Sequence, residues 1–114
     1  MPYKDIEKQK EAQRRYYLEN KERYLKSVRD RRQLARRYVI QVKSDAVCAD
    51  CQIDYPHYIL EFDHVSGTKI GNIADLAREG NLVALKAEIA KCEIVCSNCH
   101  AHRTWMRSKN GPEV

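Results

Sequence analysis

The sequence is short of apolar residues, glycine and proline. Of its 114 residues, 43% are hydrophobic and 32% are charged, and the chain has four glycines and three prolines. No apolar run approaches the roughly 18 residues that a membrane-spanning helix needs, and no apolar leader opens the chain. We therefore expect a cytoplasmic protein whose small core depends on a metal ion or on disulfides.

Cysteine is well represented, with five residues. Two CxxC pairs, Cys48 with Cys51 and Cys96 with Cys99, are separated by 44 residues. In a reducing compartment a thiolate metal site is expected rather than disulfides. Four thiolates complete the closed tetrahedral shell of a structural zinc, which folds a protein and leaves no position for reactive water. Unliganded or redox-active cysteines are the alternative, and Cys92 is expected to be a small buried residue.

Charge is distributed unevenly along the chain. Residues 1–43 carry 14 Lys and Arg against 6 Asp and Glu, a balance of +8, whereas residues 44–114 carry 7 against 10, a balance of −3. A basic segment suits a polyanion such as double-stranded DNA, because each phosphate contact releases counterions. The alternative is a basic helix that is merely solvated.

The basic segment is expected to be helical, since residues 5–43 contain neither glycine nor proline and are rich in strong helix formers. One continuous helix and two helices broken near Asn20 both stay open. Apolar and aromatic side chains are spaced to share one face, at Tyr17, Tyr24, Val28, Ala35, Tyr38 and Val42. This stripe is expected to pack on the core, to pair two helices in a homodimer, or to contact nucleic acid. The arginines predicted to bind DNA are Arg29, Arg32, Arg36 and Arg37.

Shorter elements are predicted after Cys48. The sequence favours a strand at residues 58–62, a turn at 66–68 and a short apolar segment at 94–95. Helices are predicted at residues 72–78, 82–91 and 98–108. A stop signal at Glu79-Gly80-Asn81 separates the first two, and Ser97 is expected to cap the third. Residues 110–114 are expected to form a frayed tail.

Three residues beside these elements can carry hydrolytic chemistry. The predicted strand leads into Asp63 and His64, and the second cysteine pair leads into His100, so zinc binding would bring the three together. Asp63 and His100 offer an oxygen and a nitrogen to a divalent ion and leave positions for water and phosphate. Histidine, with an ordinary pKa near 6.5, suits a general base. His64 and Asp63 point to opposite faces if the strand continues, whereas a turn after them would let both reach a phosphate.

The combined pattern resembles a known family. Cys48-x-x-Cys51 is followed by Leu60-Glu61-Phe62-Asp63-His64-Val65 and then by Cys96-Ser97-Asn98-Cys99-His100-Ala101-His102-Arg103-Thr104-Trp105. Over residues 48–105 this pattern resembles the HNH endonuclease family, in the four-cysteine form common among phage and mobile-element nucleases. The resemblance implies a ββα-metal (His-Me finger) core, with His64 as general base and with Asp63 and His100 as ligands of the catalytic ion.

The sequence departs from the family at its middle asparagine. That asparagine usually precedes the second cysteine pair by a few residues, but residues 91–95 contain none. It normally steadies the loop that holds the base, so another residue or the backbone is expected to do so here. The segment 66–91 is also longer and more helical than in the simplest members. Arg103, three residues after His100, is expected to bind a phosphate.

These features predict a small α+β protein with a basic helical extension at residues 1–44 and a zinc-containing nuclease domain at 45–109. The expected activity is hydrolysis of DNA phosphodiester bonds, with a structural Zn²⁺ and a catalytic Mg²⁺, Mn²⁺ or other divalent ion. One alternative is a non-catalytic zinc module that binds nucleic acid. Another is an accessory nuclease that works only with a partner, as in phage DNA packaging in the host cytoplasm.

Overall fold

The computed structural model describes residues 5–109. Along this part of the chain it contains four α-helices and one two-stranded antiparallel sheet. The elements in order are α1 (Ile6–Ser44), a 3-10 turn (His57–Ile59), β1 (Leu60–His64), α2 (Ile73–Glu79), α3 (Leu82–Ile89), β2 (Cys92–Cys96) and α4 (Ser97–Lys109). The protein is therefore a small α+β fold. The frayed tail predicted at 110–114 lies outside the described residues.

The long helix α1 is continuous over 39 residues. Asp5 caps its start, where the carboxylate accepts from the backbone N–H of Glu7 at 3.0 Å. The helix does not break at Asn20, whose side-chain amide donates to the carbonyl oxygen of Tyr16 at 2.7 Å, one turn back. At 1.5 Å per residue, α1 is about 58 Å long. No helix within residues 5–109 combines the length and the apolar character needed to cross a membrane.

The C-terminal half of α1 contributes to the core. Ala35 is fully buried, and Tyr38 and Val39 pack against the same apolar cluster. Tyr17 and Tyr24, which belong to the same predicted stripe, are 52% and 59% exposed. Core packing, one of the three roles predicted for the stripe, is thus confirmed for the C-terminal half. Helix pairing and nucleic-acid contact stay predictions for the exposed half.

The two strands pair in a register that runs from Leu60 opposite Cys96 to His64 opposite Cys92. β1 begins and ends two residues later than the predicted strand at 58–62, so that prediction is wrong at both ends. Residues 57–59 form a 3-10 turn after Pro56, which delays the start. Pairing with the beginning of β2 extends the strand through His64.

Apolar side chains form two small clusters. The cysteine-side cluster contains Cys48, Leu60, Val95 and Cys96. The helix-side cluster contains Ala35, Ile73 and Leu85, with Leu76, Leu82 and Ile89 among the side chains packed against it. Side chains of α2 and α3 therefore form much of the helix-side cluster, and both strands contribute to both clusters.

The turn between α2 and α3 depends on Gly80 and Asn81. Gly80 ends α2 with a φ of +73°, in the left-handed region that favours glycine. A Cβ here would lie 3.1–3.2 Å from atoms of Arg31 and Arg32, so glycine also lets the turn approach α1 closely. Asn81 then caps α3 by accepting from the N–H of Ala84 at 3.1 Å. The predicted stop between these helices is confirmed.

The last helix, α4, begins directly after β2 and packs against the sheet. Ser97 is its first residue rather than its N-cap, and the hydroxyl donates to the carbonyl oxygen of Ile59 at 3.1 Å. This bond ties the start of α4 to the turn before β1. The second cysteine pair consequently spans the junction between β2 and α4.

Candidate functional site

Four cysteines converge where the chain after α1 meets the junction of β2 and α4. The sulfur atoms of Cys48, Cys51, Cys96 and Cys99 all lie within 4.8 Å of one another. In two similar turns, the N–H of Cys51 donates to Sγ of Cys48 at 3.5 Å, and the N–H of Cys99 donates to Sγ of Cys96 at 3.4 Å. Zinc–sulfur bonds of about 2.3 Å place the sulfurs of a tetrahedral site about 3.8 Å apart, which this cluster can accommodate.

The thiols of this cluster oppose one another's ionisation. Burial acts to raise the pKa of Cys48, but backbone N–H donors, first those of Cys51 and Cys96, outweigh burial and lower it to about 6. Hydrogen bonding to Cys96, together with burial, raises the pKa of Cys99 to about 12. One thiolate therefore forms easily, and its charge disfavours the next. A divalent cation bound by the thiolates would offset this repulsion between their charges, so the cluster can hold a metal ion such as zinc.

A second group of charged side chains surrounds Asp63, which is 4% exposed. Arg107 donates to both of its carboxylate oxygens, at 2.8 and 2.7 Å, and Arg103 donates to Oδ2 at 2.8 Å. The bonds from Arg107 and then Arg103 hold the pKa of Asp63 well below its usual range, against the opposing effect of burial. Asp63 is therefore ionised and faces α4.

The guanidinium of Arg103 is held by three carboxylates. Its Nε and Nη2 donate to Asp50 at 2.7 and 2.6 Å, and its Nη1 lies 2.8 Å from Asp63 and 3.2 Å from Glu93. The bonds to Asp50 and Asp63 raise the pKa of Arg103. These contacts join α4 to the first cysteine turn and to both strands. The phosphate contact predicted for Arg103 stays a prediction, since a phosphate would have to displace one of these acids.

His100 lies in the first turn of α4, beside the sheet. Its Nδ1 is 2.6 Å from Oε2 of Glu61, and its Nε2 is 3.7 Å from Oδ1 of Asp63. Because a carboxylate only accepts hydrogen bonds, Glu61 selects a proton on Nδ1 and leaves Nε2 as the nitrogen nearest Asp63. Sequence reasoning missed Glu61. Strand alternation could have indicated Glu61, because it lies two residues before Asp63 and such residues share a face of a strand.

His64 lies on the opposite side of β1 from Asp63. Its Nε2 is 3.0 Å from Oε2 of Glu88, a side chain of α3. Because β1 continues through both residues, strand alternation directs them to different neighbours. Of the two arrangements considered from the sequence, the structure has the one in which Asp63 and His64 point to opposite faces.

A groove of about 660 Å³ lies between α1, α2 and the sheet, and both His64 and His100 line it. Five basic side chains also line this groove, namely Arg32, Arg36, Lys43, Lys69 and Arg78. Of the arginines predicted to bind DNA, Arg32 and Arg36 belong to this lining. Arg29 and Arg37 are exposed on α1 outside it. The groove thus brings two predicted catalytic histidines together with cations from three segments of the chain.

Two further charged residues escaped sequence reasoning. Arg107 lies one helical turn after Arg103, so i,i+4 spacing on the predicted last helix could have placed both on one face. Glu88 had no local signal, because it meets His64 across 24 positions of sequence. The sequence therefore pointed to the cysteines and histidines but not to the side chains that fix them.

Two features of the site follow directly from side-chain geometry. One is a four-cysteine cluster suited to a metal ion. The other is a basic groove that contains two histidines. In comparisons with known proteins, no family model, no curated protein and no solved structure matches this chain.

Proposed function

We propose that this protein is a metal-dependent DNA endonuclease of the HNH, ββα-metal type. The observation that carries the proposal is the groove whose lining contains His64, His100 and five basic side chains. Cations there would neutralise a bound phosphodiester. The same phosphodiester would lie beside imidazoles, the side chains most often used for proton transfer near neutral pH.

The order of the elements supports this proposal. Two antiparallel strands are completed by β2, and α4 follows at once. Asp63 and His64 end β1, and His100 lies in the first turn of α4, which is the order that the HNH resemblance implies. The cysteine cluster holds the β2–α4 junction against the chain that follows α1. It thereby sets the position of His100 relative to β1.

In this proposal, Asp63 and His100 would hold the catalytic divalent ion. Their Oδ1 and Nε2 atoms are 3.7 Å apart. Two ligand atoms that each lie about 2.1 Å from one ion can have this separation. Glu61 keeps the proton on Nδ1 of His100, as the carboxylate partner of a metal-binding histidine does. Arg107 bonds the same Asp63 oxygen but is 53% exposed, so it can turn into solvent. Bound there, Mg²⁺, Mn²⁺ or a similar ion would stabilise negative charge on the phosphate.

His64 is the general base of the proposed reaction. It takes a proton from a water molecule, whose oxygen forms a bond to phosphorus while the bond from phosphorus to the 3′ oxygen breaks. The leaving 3′ oxygen takes a proton from solvent, and the products are a 5′-phosphate and a 3′-hydroxyl. The basic lining of the groove orients the phosphodiester and offsets the charge that develops on it.

The groove arginines supply part of the proposed DNA affinity. Replacing Arg32 and Arg36 with glutamine should weaken binding to unrelated duplexes about equally. Each lost phosphate contact should lower the salt slope by about one unit. Replacing Arg14 and Arg15 is the matched control, because the same charge is removed from the exposed half of α1, away from the groove. Equal losses from both pairs would attribute binding to overall charge rather than to the groove.

The decisive experiment is plasmid cleavage by the zinc-loaded protein with added Mg²⁺, Mn²⁺ or Zn²⁺. His64→Ala should abolish cleavage but preserve zinc content and DNA binding, because a general base acts on the transition state more than on ground-state binding. His102→Ala is the matched control, since His102 is exposed on α4 and lies outside the groove lining. Cleavage at the wild-type rate by the His64 variant would refute the assignment.

A non-catalytic zinc module that binds nucleic acid is the second candidate. One observation favours it: guanidinium groups engage both oxygens of Asp63, so a catalytic ion has to displace Arg107. DNA binding without cleavage, with each of the three metals, would support this candidate. Cleavage that requires an added partner protein would instead support an accessory nuclease, as in phage DNA packaging.

A further inference from the structure

The carboxylate of Glu88 is buried at the centre of a hydrogen-bond network beside His64. Glu88 is 2% exposed, and within residues 5–109 only Asp63 is a comparably buried charged residue. Its Oε2 lies 3.0 Å from Nε2 of His64 and accepts from the N–H of Ile70 at 3.0 Å. Its Oε1 accepts from Nζ of Lys91 at 2.9 Å. Polar contacts with three other residues therefore fix this carboxylate in place.

The ionisation state of Glu88 decides which nitrogen of His64 carries hydrogen. Hydrogen bonding to Lys91 is the main cause that lowers the pKa of Glu88 to about 2, against the effect of burial. Glu88 is therefore a carboxylate near neutral pH and can only accept hydrogen bonds. The Nε2 of His64 consequently has to donate. In the neutral imidazole, the proton-accepting lone pair is then on Nδ1.

The same network holds the chain that follows β1. The Nζ of Lys91 donates to the carbonyl oxygen of Thr68 at 2.7 Å as well as to Glu88. The N–H groups of Val65 and Ser66 donate to the carbonyl oxygen of Lys91, at 2.9 and 3.2 Å. The segment next to His64 is thus fixed to the end of α3, which limits the movement of the imidazole.

We propose that Glu88 is a positioning residue that holds His64 as its Nε2–H tautomer and directs Nδ1 to act as the base. This inference rests on the proposed function, because it assigns the orientation of the base in that reaction. Glu88 does not touch the phosphodiester and acts through His64. The imidazole itself lines the groove, whereas Glu88 does not.

The first test is nitrogen NMR of the zinc-loaded wild-type protein labelled with ¹⁵N-histidine, at about pH 8, above the ordinary histidine pKa of about 6.5. Long-range ¹H–¹⁵N spectra distinguish the two tautomers, and the His64→Ala spectrum assigns the signal among the four histidines. The expected result is an Nε2–H tautomer for His64. An Nδ1–H tautomer would overturn the inference, and neither result depends on cleavage.

The second test is the kinetics of Glu88→Gln on a duplex oligonucleotide. An amide cannot satisfy Lys91, Ile70 and His64 together, because its NH₂ end must face one of these donors. We expect kcat to fall about 10–100-fold, the range for groups that orient an active-site histidine, with KM changed less than about twofold. Glu79→Gln is the matched control, because Glu79 is an exposed carboxylate on α2 outside the groove.

The outcomes separate the two proposals. A folded, zinc-loaded Glu88→Gln protein with wild-type kcat would overturn the positioning role. If that variant does not fold, the wild-type tautomer decides the inference. Absence of cleavage by the wild-type protein would overturn the proposed function and, with it, the role of Glu88 in that reaction, whereas an Nδ1–H tautomer in an active enzyme would overturn the positioning role alone.

Discussion

Removing one ligand from the cysteine cluster should cost far more stability than the lost packing explains. Cys99 and Cys92 make a matched pair, since both are half-buried free thiols, but Cys99 belongs to the cluster and Cys92 does not. Replacing either residue with alanine removes one partly buried sulfur. Packing alone predicts a similar loss for both, about 1 kcal/mol.

The expected difference follows from what else stabilises this part of the fold. The cysteine-side cluster contains two fully buried aliphatic side chains, Leu60 and Val95, each contributing about 1.5–3 kcal/mol. A structural zinc contributes about 10–16 kcal/mol, so one of its four thiolates is responsible for roughly 2.5–4 kcal/mol. At about 4 °C per kcal/mol for a domain of this size, Cys99→Ala should lower Tm by about 10–16 °C and Cys92→Ala by about 4 °C.

The measurement is thermal unfolding combined with metal analysis of the purified proteins. The wild type and the Cys92 variant should each contain one zinc ion per chain, and the Cys99 variant should contain less. A chelator should lower Tm of the wild type and of the Cys92 variant, and it should lower Tm of the Cys99 variant by less, because that variant has already lost part of the metal's contribution. Equal Tm losses for both variants, or a folded wild type without metal, would refute the reasoning.

Three further perturbations test other parts of the structure. Gly80→Ala should cost about 1–3 kcal/mol in urea unfolding, because of its positive φ and the 3.1–3.2 Å contacts with α1. Gly71→Ala, which meets only ordinary contacts at 3.8–4.0 Å, should cost less. Arg107→Ala frees Oδ1 of Asp63, while Arg103 still bonds Oδ2, and it should tighten Mn²⁺ binding about threefold to tenfold by calorimetry; unchanged affinity would argue against competition at that carboxylate. The Glu88 carboxyl, with a pKa lowered from 4.5 to about 2, contributes stability that is fully present above about pH 4.5 and is lost as pH falls towards 2. The Tm difference between wild type and Glu88→Gln, measured with excess zinc, should therefore be constant above about pH 5 and narrow below it; a gap that widens on acidification would contradict this.

The features that could be predicted from the sequence are those with local signals. The cysteine cluster follows from CxxC spacing, because two residues between cysteines suffice to present both thiolates to one ion. The helix α1 follows from a long run without glycine or proline. The stop between α2 and α3 follows from Gly80, since the left-handed conformation it adopts favours glycine. Each of these signals spans a few residues and needs no knowledge of distant neighbours.

The features that could not be predicted depend on contacts between distant segments. The bounds of β1 are set by pairing with β2, some thirty positions away along the chain. Periodicity placed Tyr24 and Ala35 on one face of α1, but it could not show that the domain reaches Ala35 and leaves Tyr24 exposed. The role of Glu88 as the partner of His64 could not be predicted either, because nothing in the adjacent sequence indicates that its carboxylate is buried.

β1 contributes one residue to each of two carboxylate–histidine pairs, and its pairing with β2 connects these pairs to the cysteine cluster. Glu61 meets His100 on the α4 side, and Glu88 meets His64 on the α3 side. Each carboxylate selects a proton on one nitrogen, which leaves Nε2 of His100 near Asp63 and Nδ1 of His64 as the proton acceptor. A slip of one residue in the pairing of β1 with β2 would send every side chain of β1 to the opposite face and break both pairs. Cys96 stands opposite the first residue of β1 and belongs to the cluster, so a metal ion bound by the four cysteines would help to maintain the register on which the proposed roles of both histidines depend.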